Sequence, residues 1–291
     1  MLRKSLVVFL IGLLMFGCSP SEKEGETSEK MEPVPTADAD LSIAYTLVVS
    51  GIPMVGEMTF NQKYITDGET GRVEMESVIP VGQETRTASF ATIIDLNNKK
   101  LNYVNDVTKT YATIDIPDSA KVPPETSPEM KLEVNPTGEV DTVAGIEVKS
   151  LDIALELNYM IQDKPATTTM SGVLWVSDAF TGYDAFKAFK ANMKNKIADK
   201  RLQSGGFLDF LTRFNMSRDN LDELYDKLSG FPFRGELEFN INEGLPNGFT
   251  LTTNLNVTDV SNEAIDKAVF AVPEGYTVTD VQQVMSPAAG G

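Results

Sequence analysis

Carboxylates two residues apart are the first candidates for chemistry in this sequence. Glu74 and Glu76 share one face of an extended stretch, as do Glu236 and Glu238, and paired carboxylates can act as general acid and base. Both pairs, however, sit on the polar side of regularly alternating runs, where such charges keep a strand face soluble. Asp95–Leu96–Asn97 begins like a calcium-binding loop but places Lys99 where an acidic or amide ligand is needed. The chain of 291 residues has no histidine. That removes Ser–His–Asp and Cys–His catalysis and every His-ligated metal site. Its single cysteine, Cys18, excludes an intrachain disulfide. Neither a GxxxxGK(S/T) loop nor a GxGxxG turn is present. The formal net charge of −17 argues against nucleic-acid binding through phosphates. A non-enzymatic protein without a cofactor or metal is expected.

The other chemically suggestive set is apolar and basic. In Tyr183–Arg201, Tyr183, Phe186, Phe189, Met193 and Ile197 recur at steps of three and four and mark one helical face. Lys187, Lys190 and Lys194 each follow an apolar position by one residue, forming a stripe beside that face. One reading is a solvated flank whose stems lie along apolar surface. The other is a membrane-facing stripe that meets anionic headgroups. Gly205–Gly206 interrupts, and Phe207, Phe210, Leu211 and Phe214 make a second short stripe. Ser217 then suits an N-cap, with Asp219, Asp222 and Glu223 following. Leu221, Leu224, Tyr225, Leu228 and Phe231 make a third stripe, ended by Gly230 and Pro232. The pattern predicts three amphipathic helices in an insert spanning 182–231.

Everything around that insert reads as strand. Leu41, Ile43, Tyr45, Leu47 and Val49 alternate, and Met58, Phe60 and Tyr64 share a face. With Val73–Ile79, ended by a turn at Pro80–Gln83, then Thr87–Leu96, Leu101–Asn105 and Tyr111–Ile116, a meander of about six strands is predicted up to Ile116. Pro117–Pro128 reads as a loop at the middle of the sheet. Strands resume at Met130–Asn135. Across Ile146–Leu157 the apolar residues slip from even to odd positions near Lys149–Ser150, which suggests a β-bulge. Ala166–Val176 precedes the insert. After it, Leu237, Phe239 and Ile241, then Phe249, Leu251, Leu255 and Val257, alternate with polar residues. The total is about eleven strands, each with one apolar face. A sheet of that size must curl or be covered, so the fold class expected is mainly β: a curled antiparallel half-barrel with helices over its concave face. Large aromatics and Met suit an adaptable apolar pocket there. The candidate lining is Tyr45, Met58, Phe60, Phe186, Phe189, Met193, Phe207, Phe210 and Phe214.

The N-terminus carries an address. Arg3 and Lys4 precede the apolar run Leu6–Phe16, too short to span a bilayer and right for a signal peptide. Gly17–Cys18 resembles the lipobox of bacterial lipoproteins, although Met15 and Phe16 replace its usual Leu and small residue. The resemblance implies that residues 1–17 are removed and that Cys18 is diacylated as the mature N-terminus. Residues 18–40 are polar and Pro-containing, the composition of a disordered tether. One domain then spans 41–282, and 283–291 reads as a disordered tail.

Three short motifs punctuate that domain: Thr137–Gly138–Glu139 with Val143–Ala144–Gly145–Ile146–Glu147, Leu174–Trp175–Val176–Ser177–Asp178, and Phe270–Ala271–Val272–Pro273–Glu274–Gly275–Tyr276. The order strands, helical insert, strands resembles the LolA/LolB lipoprotein-carrier fold shared with the LppX/LprG lipid-binding lipoproteins, and the three motifs are similar to those of an uncharacterised bacterial lipoprotein family within that superfamily. The similarity covers roughly 41–280 and marks turns and strand ends. It implies a half-barrel whose helices close over a cavity for lipid or lipoprotein acyl chains, in a bacterial envelope protein held to the outer membrane by its lipid anchor. A second reading has the same apolar residues forming a solid core, in an interaction module whose partners are envelope proteins.

Overall fold

The computed structural model describes residues 40–53, 55–81, 84–116, 128–161, 164–196, 211, 216–242 and 248–285. A first meander comprises β1 (Leu41–Ile52), β2 (Gly56–Thr66), β3 (Thr70–Val81), β4 (Glu84–Asp95), β5 (Lys100–Asn105) and β6 (Thr110–Asp115). A second holds β7 (Glu129–Val143), β8 (Ile146–Ile161) and β9 (Lys164–Ser177). After helices α1 (Tyr183–Lys196) and α2 (Arg218–Leu228) it continues with β10 (Phe231–Asn242) and β11 (Phe249–Ser261). A 3-10 turn (Lys267–Phe270), β12 (Thr277–Val278) and α3 (Val281–Met285) complete the described chain.

The twelve strands among the described residues form one open sheet, ordered β12-β6-β5-β4-β3-β2-β1-β11-β10-β9-β8-β7. The two meanders join where β1 pairs antiparallel with β11, Leu47 opposite Leu255. Alternation decides which side turns inward. On β1, Leu41, Ile43, Tyr45 and Leu47 are buried, and on β10 and β11 so are Leu237, Phe239, Ile241, Leu251, Leu255 and Val257. One contiguous cluster runs from Met130 on β7 to Leu101 on β5. Strands near opposite ends of the sheet therefore feed the same core, the geometry of a curled half-barrel.

Several details depart from the sequence reading. The segment after Pro117 does not join neighbours at the middle of the sheet, because β6 and β7 stand near opposite ends of it. The bulge sits in β7 rather than β8: pairing steps from Pro136–Leu151 to Val140–Lys149, leaving Thr137–Glu139 as extra chain opposite Ser150. Gly138 takes a φ of +86° there, and the Thr137 and Ser150 hydroxyls hydrogen-bond each other. The slip of phase on β8 is thus imposed by its partner strand. Gln283 to Met285 belong to α3 rather than to a tail: Val284 is buried and its carbonyl accepts a 2.8 Å hydrogen bond from Asn105 Nδ2.

The C-terminal stretch straps the convex side. Phe270, Val272 and Tyr276 pack on Ala91, Ile93 and Val104, a second small core behind the main one. Arg72 holds the strap down, donating to the Val269 carbonyl at 3.0 Å and to Glu74 at 2.8 Å. Tyr276 Oη donates to Asp106 at 2.7 Å. β12 then pairs with β6 in parallel, the exception to an otherwise antiparallel ladder.

Lys267 ties the start of the strap to the β2–β3 turn through Asp67, at 2.8 Å. Burial pushes the Asp67 carboxyl up, but the Lys267 bond and the Thr70 and Glu69 N–H donors outweigh it and hold the group below the ordinary value of 3.8. A depressed native value supplies stability above the unfolded carboxyl range and loses it as pH falls through the native one. Asp67→Asn is therefore expected to flatten the decline in stability below about pH 4. The difference is about 1 kcal/mol or less, because solvent screens a half-exposed pair. Urea midpoints at pH 7 and pH 3 measure it.

Candidate ligand-binding interior

Helix α1 lies over β1 and β2, with Phe186, Phe189 and Met193 buried beneath it. The aromatic rings meet edge to face. Phe186 stands 5.9 Å from Tyr64 at 83° and 5.1 Å from Phe231 at 88°, and Phe180 stands 5.1 Å from Phe233 at 87°. Phe189 enters a notch that exists because residue 71 is glycine: a Cβ on Gly71 would lie 2.4 Å from the Phe189 ring. Polar bonds fasten the same helix. Asn192 Nδ2 donates to the Gly68 carbonyl at 2.8 Å, and Lys196 Nζ to Asn97 Oδ1 at 2.8 Å.

Helix α2 begins with a capping box. Ser217 Oγ accepts from the Asn220 N–H, and Asn220 Oδ1 accepts from the Ser217 N–H, each at 3.2 Å. It ends on Ser229, which adopts the left-handed conformation (φ 51°) one residue before the glycine that reads as the stop. Leu221, Leu224, Tyr225 and Leu228 face inward. Lys227 Nζ reaches the Leu132 carbonyl on edge strand β7 at 3.2 Å, beside a groove of about 340 Å³ lined by Leu132, Glu133, Val134, Asn135 and Lys227.

Of the residues expected to line a cavity, Tyr45 and Met58 are buried on the concave wall and Phe60 is half-buried beside them. Tyr45 Oη donates to Gln62 Oε1 at 2.7 Å. Phe186, Phe189 and Met193 join the same core as Tyr45, but the ring contacts of Phe186 and Phe189 are with Tyr64, Tyr183, Tyr225 and Phe231, at the α1 end. Phe207, Phe210, Phe214 and Cys18 lie outside the described residues.

The basic stripe is not uniform. Lys190 turns toward α2: its ammonium sits 3.8 Å over the Tyr225 ring and 3.5 Å from Asp222, with the side chain 19% exposed. Lys187 pairs with Asp184 and stands 4.9 Å over the Tyr183 ring, and Lys194 is exposed. Burial, then Asp178, Asp184 and Asp226, push the Tyr183 hydroxyl up to about 12, so it stays a protonated donor at neutral pH. Three of the four paired carboxylates have structural partners. Glu74 bridges Arg72 at 2.8 Å, Glu76 accepts from Asn61 and Glu238 from Asn240. Asp95 caps its own turn through the N–H groups of Asn97 and Asn98.

A residue the alternation passes over is Thr253. It stands in the inward series Phe249, Leu251, Thr253, Leu255, Val257 and is 1% exposed. The register aligns it in a row across the wall: Val134, Ile153, Gly172, Leu237, Thr253, Val49, Met58. A polar member of an apolar series is the signal that marks it.

No family model matches this chain, and neither does any curated protein. Among solved structures, it is similar to a candidate outer membrane lipoprotein-sorting protein domain from Vibrio parahaemolyticus. The overlay has 9% identity and a TM-score of 0.27, and covers 80% of this chain and 89% of the other. At that score the likeness carries no weight, and the architecture stands on the strand pairing itself.

Proposed function

We propose that the protein is a membrane-anchored lipoprotein of the bacterial envelope that holds a lipid, or another long apolar ligand, between sheet and helices. The supporting observation is the concave wall: one apolar face shared by strands of both meanders, with helices standing over it. Such a wall can take acyl chains without charge complementarity. A non-enzymatic carrier or lipid-binding role fits it best. The second reading, a solid core in a module that binds envelope proteins, draws support from the α1 end, where the fully buried Phe189 ring packs directly on Gly71.

The test is uptake of a fluorescent fatty-acyl probe by the secreted, unacylated Cys18→Ser chain. Saturable uptake, competed by unlabelled phospholipid, is expected, and absence of uptake would favour the interaction module. The same variant tests the anchor. Lipidated protein is expected wholly in the membrane fraction and Cys18→Ser in the soluble fraction, because stable anchoring takes more than one acyl chain. A variant that still sediments with membranes would show that acylation is not what holds the protein there.

A further inference from the structure

Thr253 offers a hydroxyl where packing asks for a methyl. Its cross-strand neighbours are Leu237 and Val49, and its neighbours along the inward face are Leu251 and Leu255. Valine has the same shape and would serve this apolar wall without a polar atom. The hydroxyl is fully buried, and no hydrogen-bond partner among the described residues reaches Thr253 Oγ1. A buried hydroxyl without a partner destabilises the protein that carries it, so its presence calls for a partner that the described residues do not supply.

Resting on the lipid-binding reading above, we propose that Thr253 is the polar contact of the interior site, donating its hydroxyl hydrogen to the ester carbonyl oxygen of an acyl lipid whose chains lie against the Leu237–Thr253–Val49 row. The chemistry of the row selects an ester. A carboxylate or phosphate would need a cation, and Leu237, Val49, Leu251 and Leu255 provide none. An ester carbonyl is neutral and is satisfied by one donor, which is what a lone threonine can give. It is also the polar group that an acyl lipid carries deepest with its chains, while the headgroup stays near water. Phe189 packs on Tyr64 and Gly71, at the other end of β2 from Met58, so the Thr253 row lies away from that contact.

The experiment uses delipidated Cys18→Ser protein, alone and with Thr253→Val or Thr253→Ser, and two probes with the same chains and headgroup: dioleoyl phosphatidylethanolamine and its diether analogue. Parent protein is expected to bind the diester about tenfold more tightly, the equivalent of one hydrogen bond. Thr253→Val should abolish the preference by weakening diester binding alone, and should melt no lower than the parent when empty. Thr253→Ser should retain the preference. Equal binding of both lipids by the parent, or a preference that survives in Thr253→Val, would overturn the assignment while leaving lipid binding intact. Failure of the parent to bind either lipid would overturn the lipid-binding reading and this contact with it.

Discussion

Truncating Phe189 to alanine is expected to cost about 3–5 kcal/mol of stability, the range for removing a fully buried Phe. The ring is 0% exposed, stands 6.1 Å from Tyr64 and fills the notch over Gly71. The converse substitution tests the same contact from the other side. Gly71→Ala places a methyl group 2.4 Å from the ring, and overpacking of this kind costs about 1–3 kcal/mol. The two changes should not add. Once Phe189 is alanine the added methyl has room, so Gly71→Ala should become nearly neutral in that background. Chemical denaturation of the four proteins gives the coupling directly. Additive losses would mean that the ring does not occupy the notch.

Gly172→Ala should be as damaging, for a different reason. Gly172 pairs with Leu237 on one side and Ile153 on the other, and its φ of +150° suits glycine. A Cβ there would lie 2.0 Å from the Glu236 carbonyl oxygen. Backbone cannot swing aside as a side chain does, so β9 and β10 would have to separate locally. A loss of about 3 kcal/mol or more is expected from strain and broken ladder bonds together. It should appear as a lower denaturation midpoint and as faster amide exchange along 168–176. A variant with parent-like stability would show that the two strands are not packed this closely.

How much of this was legible in the residues differs from element to element. Strands β1, β10 and β11 follow directly from alternation, because one buried face forces period two. Helix α2 follows from Ser217 and the spacing of Leu221, Leu224 and Leu228. Pairing order is another matter. Alternation says which side of a strand is buried but not which strand lies beside it, so the meeting of β1 with β11 and the separation of β6 from β7 were hidden. The phase slip at Ser150 was visible, whereas the extra residues causing it lie in β7. The Phe270–Tyr276 motif read only as a closing segment, since nothing local says that its aromatics cover Ala91, Ile93 and Val104 on the convex side. Lys190 looked like one of three equivalent lysines. Its difference comes from Asp222 and Tyr225, more than thirty residues away in the chain. Thr253 was passed over because its neighbours in the series made the strand plain without it.

The most direct test of the central claim is mass spectrometry of organic extracts from Cys18→Ser protein purified from the bacterial envelope without detergent. A ligand held between sheet and helices should co-purify: acyl lipid is expected at a sizeable fraction of one molecule per chain, lost on unfolding and regained when the emptied protein meets phospholipid. An extract free of lipid, from folded protein that takes up none when offered it, would contradict the claim and leave the interior a solid core.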